Sequence, residues 1–284
     1  MSLNRRKFIK LAGLGLGGAL LAPQVVLASG EVDAENGVAM LYDTTKCIGC
    51  RACQNACKGW NGNPAERDST GLYDAPMELS ADTWTLIQLY EGNGERSFVK
   101  LQCMHCLEPA CVSACPVHAL EKTDEGPVTY NPTRCIGCRY CMVACPFGVP
   151  RFEWEEVLPQ VAKCTFCNDR LAVGSGPACA EACPTGALIW GRRGELLTEA
   201  KGRIADSPGK YEDHVYGEDD VGGTSVLYLS HVAFENLGFP ELGSEPVPEL
   251  NNRMAPFILP TIFVGGLAVL ASAHYMTGKR AKEG

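Results

Sequence analysis

Sixteen cysteines, all lying between Cys47 and Cys183, constrain this 284-residue chain more than any other feature. They fall into four groups of four. The first, Cys47, Cys50, Cys53 and Cys57, has the spacing C-x2-C-x2-C-x3-C, and the third, Cys135, Cys138, Cys141 and Cys145, repeats it and adds Pro146. The second, Cys103, Cys106, Cys111 and Cys115, widens the middle interval to four residues, and the fourth, Cys164, Cys167, Cys179 and Cys183, widens it to eleven. Every group closes on C-x3-C.

This register is the ligand spacing of bacterial two-cluster ferredoxins. A 4Fe-4S cubane needs four thiolates converging from different directions, and a tight loop wraps only three corners. The last cysteine of one group then ligates the cluster held by its partner group, so groups are read in pairs. Four groups hold four 4Fe-4S clusters with no cysteine left over. Zinc uses CxxC pairs but has no need of the closing C-x3-C-P, and disulfide frameworks do not repeat one ligand spacing four times. Groups two and three are separated only by residues 116–134, with a hairpin signal at 124–130, which pairs them as one module and leaves groups one and four to form the other.

Long apolar runs are confined to the two ends of the chain. The middle is rich in Cys, Gly and Pro, which predicts a core made chiefly of the clusters rather than a large aliphatic interior. A net charge of -8 with no basic stripe excludes nucleic acid as a partner.

At the N-terminus, Asn4-Arg5-Arg6-Lys7-Phe8-Ile9-Lys10 precedes an uncharged, glycine-rich stretch over 11–30, the pattern of a twin-arginine export signal spanning residues 1–28 and cleaved after Val26-Leu27-Ala28. Gly13, Gly15 and Gly18 match G-x-G-x-x-G, but no strand precedes them, so a dinucleotide site is rejected. The four-cluster domain is expected over 29–239. Within it, strands are predicted over 83–90 and 97–102 around Gly92-Asn93-Gly94, a helix over 192–205 with Leu196, Leu197, Ala200 and Ile204 on one face, and a strand over 221–230. Trp60 and Trp84 are read as packing residues. His105 and His118 are read as hydrogen-bonding or packing residues, because sixteen thiolates leave no iron for them.

Residues 240–253 read as a linker. The 25 residues 254–278 carry no Asp, Glu, Lys or Arg, enough at about 1.5 Å per residue for one transmembrane helix through a core of roughly 30 Å. Lys279, Arg280 and Lys282 in the tail 279–284 place the C-terminus in the cytoplasm and the clusters on the periplasmic side of the inner membrane.

Six stretches carry a family resemblance. They are C-I-G-C-R-A-C from Cys47, G-L-Y-D-A-P-M-E-L-S-A-D-T-W from Gly71, C-M-H-C from Cys103, C-I-G-C-R-Y-C-M-V-A-C-P-F from Cys135, K-C-T-F-C-N-D-R from Lys163 and P-A-C-A-E-A-C-P-T-G-A from Pro177. In these the chain resembles the four-cluster beta subunits of membrane-bound respiratory oxidoreductases, above all periplasmic formate dehydrogenases. The resemblance implies a ligand set of Cys47, Cys50, Cys53 and Cys183 for one cluster and of Cys164, Cys167, Cys179 and Cys57 for its neighbour. It implies Cys103, Cys106, Cys111 and Cys145 for the third, Cys135, Cys138, Cys141 and Cys115 for the fourth, and a path from the group-one cluster at a catalytic subunit to the group-three cluster at the membrane. An export signal of its own is a departure from many formate dehydrogenase beta subunits and matches the similar subunit of quinone-linked nickel-iron hydrogenases.

The fold expected is therefore α+β, two pseudo-symmetric bacterial ferredoxin-like modules with inserted loops plus one C-terminal transmembrane helix. The function expected is non-catalytic electron transfer, since no acid-base pair, nucleophile or phosphate loop stands beside the cysteines. The expected partners are a molybdenum or tungsten formate dehydrogenase catalytic subunit, or nickel-iron hydrogenase large and small subunits, and a membrane cytochrome b or quinone-reactive subunit. A free-standing, membrane-anchored ferredoxin is the rival from another class. Because the clusters are expected to form most of the core, iron chelation should abolish most regular secondary structure, measured by far-ultraviolet circular dichroism before and after reconstitution.

Overall fold

The computed structural model describes residues 34–65, 77–154 and 159–249, together with ten positions between 261 and 274. The export segment and much of the 254–278 span lie outside these residues. Among the described residues no helix is long and apolar enough to cross a membrane. The described positions between 261 and 274 are helical and exposed, and include Ile262, Val264, Leu267, Val269 and Leu270.

Strand β1 (Val38–Asp43) begins the fold and is buried along almost its whole length. Asp43 then caps a short 3-10 turn, accepting the Thr45 N–H at 3.0 Å, and delivers the chain into Cys47. Helix α1 (Ala52–Asn61) follows the first C-x2-C loop. Strands β2 (Thr85–Gly92) and β3 (Glu95–Gln102) form an antiparallel hairpin. Its turn is the two residues Asn93 and Gly94, at φ 53° and 80°, the left-handed pair that a tight hairpin with right-handed strand twist requires. Gly92, expected in the turn, instead closes the ladder opposite Glu95.

The middle of the chain holds only short elements: α2 (Ala110–Ser113), the hairpin β4 (Leu120–Lys122) and β5 (Val128–Tyr130), α3 (Tyr140–Ala144), and the two-residue strands β6 (Arg151–Phe152) and β7 (Val161–Ala162). Helices α4 (Asn168–Leu171) and α5 (Ala178–Glu181) then lead to β8 (Leu188–Arg192), α6 (Arg193–Asp206) and β9 (Val226–Leu229).

Sequence-distant strands build the principal sheet. β1 lies at its centre, antiparallel to β8 and parallel to β9. Alternate residues of β1 face opposite layers, as the two-residue period of a strand demands. Ala39 and Leu41 pack with Leu227 and Leu229 against Leu196 and Ala200 of α6. Met40 and Tyr42 pack with Val226, Tyr228, Phe166, Cys53 and Cys179. The sheet thus carries a helix on one face and cysteine loops on the other.

Two expectations change. The core is not made only of cysteine loops, because β1, β8, β9 and α6 enclose an apolar layer of their own. The strand expected over 221–230 shortens to β9, since Val221 takes φ 51° in a 3-10 turn and Gly222 and Gly223 follow at 81° and 91°. A Cβ on Gly223 would meet Glu218 O at 2.8 Å, so the backbone approach there excludes a side chain. The expected helix appears as α6, with the predicted Leu196 and Ala200 buried. Leu41→Ala should cost about 2–5 kcal/mol, measured by chemical denaturation of the iron-loaded protein.

Candidate metal centres

Each C-x2-C loop turns by the same device. The residue before its second cysteine takes positive φ: Gly49 at 69°, His105 at 49°, Gly137 at 69° and Phe166 at 61°. That reversal turns backbone N–H groups back toward the first thiol. Gly49 donates to Cys47 Sγ and Gly137 to Cys135 Sγ, both at 3.4 Å, and Phe166 donates to Cys164 Sγ at 3.3 Å. Asn131 caps the turn before Cys135 as Asp43 does before Cys47, accepting the Thr133 N–H at 3.0 Å. These caps went unnoticed in the sequence, although an Asx residue four positions before Cys47 and before Cys135 is a legible signal.

Proline explains a further difference between groups. After Cys115, Cys145 and Cys183 the chain runs Cys-Pro-x and reverses at His118, Gly148 and Gly186, whose N–H groups return to the carbonyls of those cysteines. Proline cannot continue a helix. Lys58 replaces it after Cys57, and α1 runs on to Asn61.

All sixteen thiols are free of disulfides. Helix α1 of group one packs on α5 of group four, and α2 of group two packs on α3 of group three. A small cavity is lined by Cys57, Cys164, Cys167 and Cys179. Another is lined by Cys115, Cys135, Cys138 and Cys141. Cys47 lies close enough to Cys50 and Cys183 for their charges to interact, and Cys106 to Cys103, Cys111 and Cys145. Among the described residues no three His, Cys, Asp or Glu side chains converge tightly enough to share one metal ion. Quartets spread around a cavity suit a polynuclear centre, in which each iron takes its own thiolate.

The four quartets are arranged in sequence. Cys53 of the first interacts with Cys179 of the second, Cys164 of the second with Cys103 of the third, and Cys111 of the third with Cys141 of the fourth. The ends of this series reach solvent at Cys50 and Cys138, whereas Cys164, Cys167, Cys103 and Cys111 in its middle are buried.

Burial governs the thiols. It pushes Cys53 up to about 11, Cys57 and Cys111 to about 12, and Cys141 to about 11, with neighbouring thiols adding to the rise. These groups bind metal only as thiolates, so loading them releases protons. Cys183 differs. Burial would raise it, but the Leu188 N–H at 3.4 Å and the Thr185 hydroxyl bring it below the ordinary thiol value.

Comparisons with known proteins agree with this geometry. Residues 46–120 and 95–193 each match a "4Fe-4S dicluster domain" model. The Hydrogenase-2 operon protein HybA of Escherichia coli O157:H7 is 37% identical, over 94% of this chain and 94% of its own. The chain belongs to the 4Fe-4S dicluster iron-sulfur family. The nitrate-inducible formate dehydrogenase iron-sulfur subunit of Escherichia coli K12 is 39% identical over 86% of this chain and 82% of its own. A protein of Nitratidesulfovibrio vulgaris is 45% identical over 99% of this chain and 78% of its own. As a member of this family the chain carries 4Fe-4S clusters, and its sixteen thiols account for four.

The remaining candidates fall outside the ligand quartets. His105 is buried and its Nδ1 accepts the Val128 N–H at 2.9 Å, while His118 is exposed. Trp84 is half-buried with its indole N–H on Ala81 O. Trp60 is 47% exposed, under the Arg170 guanidinium at 4.4 Å, so it covers the surface of α1 rather than filling the core. Exposure of Cys50 and Cys138 sets an order of loss. Ferricyanide should strip iron first from the two outer quartets, read as iron content together with mass mapping of newly alkylated cysteines.

Proposed function

We propose that this chain is the electron-transfer subunit of a membrane-bound respiratory oxidoreductase. It relays electrons between a periplasmic catalytic subunit of the formate dehydrogenase type and a membrane cytochrome b or quinone-reactive subunit. One observation carries the reading. The thiol quartets form a series whose two ends open at the surface, at Cys50 and Cys138, and whose middle holds no exposed thiol. Such a series has no use for a substrate pocket and every use for two docking faces. Bound clusters supply one-electron redox chemistry, and the protein supplies their spacing, orientation and surroundings.

The ligands proposed are Cys47, Cys50, Cys53 and Cys183; Cys164, Cys167, Cys179 and Cys57; Cys103, Cys106, Cys111 and Cys145; and Cys135, Cys138, Cys141 and Cys115. The chain itself contributes no catalytic residue. Ile48 beside Cys50, and Ile136, Tyr140 and Val143 beside Cys138, are exposed apolar residues at the two ends, as permanent subunit interfaces require. We place the protein on the periplasmic side of the inner membrane, exported by the twin-arginine route and anchored by one helix over 254–278. Arg5-Arg6, the uncharged 25-residue stretch and the basic tail support that topology.

A hydrogenase partner is the second reading. It is favoured by a match to HybA that extends over 94% of both chains, and by the chain's own export motif. Anaerobic bleaching of the visible iron-sulfur absorbance in the detergent-solubilised complex separates the two. Formate alone should bleach it if the first reading holds, hydrogen alone if the second holds, and dithionite only would exclude both donors. The crossed ligation has its own test. Cys57→Ser should remove or convert the cluster of Cys164, Cys167 and Cys179 and spare that of Cys47, Cys50 and Cys53, followed by iron content and electron paramagnetic resonance.

A further inference from the structure

The two middle quartets differ from the end ones in what lies between them. At the position before the second cysteine the end loops carry Gly49 and Gly137, while the middle loops carry His105 and Phe166. Those two side chains meet edge to face, with ring centroids 4.9 Å apart. Their loops carry Cys103 and Cys164, whose thiols lie close enough to interact. Because the Val128 N–H points at His105 Nδ1, the ring carries its proton on Nε2. That N–H is buried and has no hydrogen-bond partner among the described residues. A buried donor without an acceptor is costly, and this one belongs to the residue immediately before Cys106, in the loop that also carries Cys103.

Three ammonium groups converge on the same two loops. Lys100 is fully buried, donates to Thr85 Oγ1 at 2.6 Å and to Gln102 Oε1, and its charge bears on Cys57 and Cys164 as well as on Cys53 of the first quartet. Buried Lys163 donates to Cys164 O at 3.0 Å and to Val128 O, and bears on Cys111. Lys122 donates to His105 O at 3.0 Å and Ser225 Oγ at 3.4 Å, and bears on Cys106 and Cys103. The acceptors are neutral oxygens, so no carboxylate in these contacts cancels the charge. At the far end the largest charges bearing on Cys141 are the thiols of its own quartet.

We propose that His105 donates its Nε2–H to a sulfur of a middle cluster, and that with the ammonium groups of Lys100, Lys122 and Lys163 it raises the reduction potential of the two middle clusters. The proposal rests on the four-cluster reading above. A hydrogen bond to sulfur and a nearby positive charge both favour the reduced cluster, which carries one more negative charge. Electrons passing along the series then rest on its more deeply buried middle. These residues act through the clusters and are positioning residues.

The test is a redox titration of the iron-loaded complex, followed by electron paramagnetic resonance, for the native protein and for Lys122→Met and His105→Phe. Iron analysis and four resolved signals come first, and a native protein lacking four clusters overturns both the four-cluster reading and this one. With four clusters present, both variants should shift at least one of the two middle midpoints to lower potential, Lys122→Met that of the Cys103 quartet, and leave that of the Cys135 quartet in place. Unmoved midpoints, or an equal shift of all four, overturn the proposal. Should either variant fail to assemble, the native protein and His118→Gln are labelled with 15N-histidine and measured by pulsed resonance. A nitrogen coupling that survives His118→Gln supports the His105 contact, and no coupling in either protein overturns it.

Discussion

Everything in this molecule answers to one demand: sixteen thiols must be gathered in sets of four, each set facing an iron centre from several directions. A single tight loop cannot do that, so the chain returns to the same place from a distance. Cys57 and Cys179, more than a hundred residues apart in the chain, line one cavity. Cys115 and Cys135 line another. The contacts of α1 with α5 and of α2 with α3 hold these returns in place. Burial that raises the thiols makes the apo sites poor anions, and iron is what reconciles burial with charge.

Support comes from a sheet that holds no ligand. β1 presents Met40 and Tyr42 to the cysteine loops and Ala39 and Leu41 to α6. Arg193 ties its surroundings together, with its guanidinium donating to the carbonyls of Thr224, Gly217 and Glu218. Asp43, fully buried at the end of β1, binds Arg203 at 3.0 Å and Tyr211 at 3.1 Å while it caps the turn into Cys47. The first C-x2-C loop is therefore fixed by a helix that contributes nothing to its chemistry. Electron transfer requires fixed distances, and this layer supplies the stiffness.

Local signals were legible wherever a residue's chemistry acts on its own neighbours. Asn93-Gly94 specified a hairpin turn because both positions tolerate positive φ, and Leu196 and Ala200 marked the buried face of α6 by their spacing. Pairings that depend on distant partners were not legible. β1 carries no strict alternation, being buried on both faces, and its neighbours β8 and β9 lie far along the chain. Trp60 reads as a core residue by type, but Arg170 and Asp169 hold it at the surface.

The sequence by itself determined the cofactor. Four cysteine registers, each closing on C-x3-C, suit iron-sulfur cubanes and little else, because ligand spacing is a property of the metal centre and not of the fold around it. Tertiary structure decided the order of the centres, the exposure of Cys50 and Cys138 at opposite ends of the series, and the meeting of His105 with Phe166 in its middle. Those are relations between loops thirty or more residues apart, and only the packing of the sheet and the short helices brings them within reach of one another.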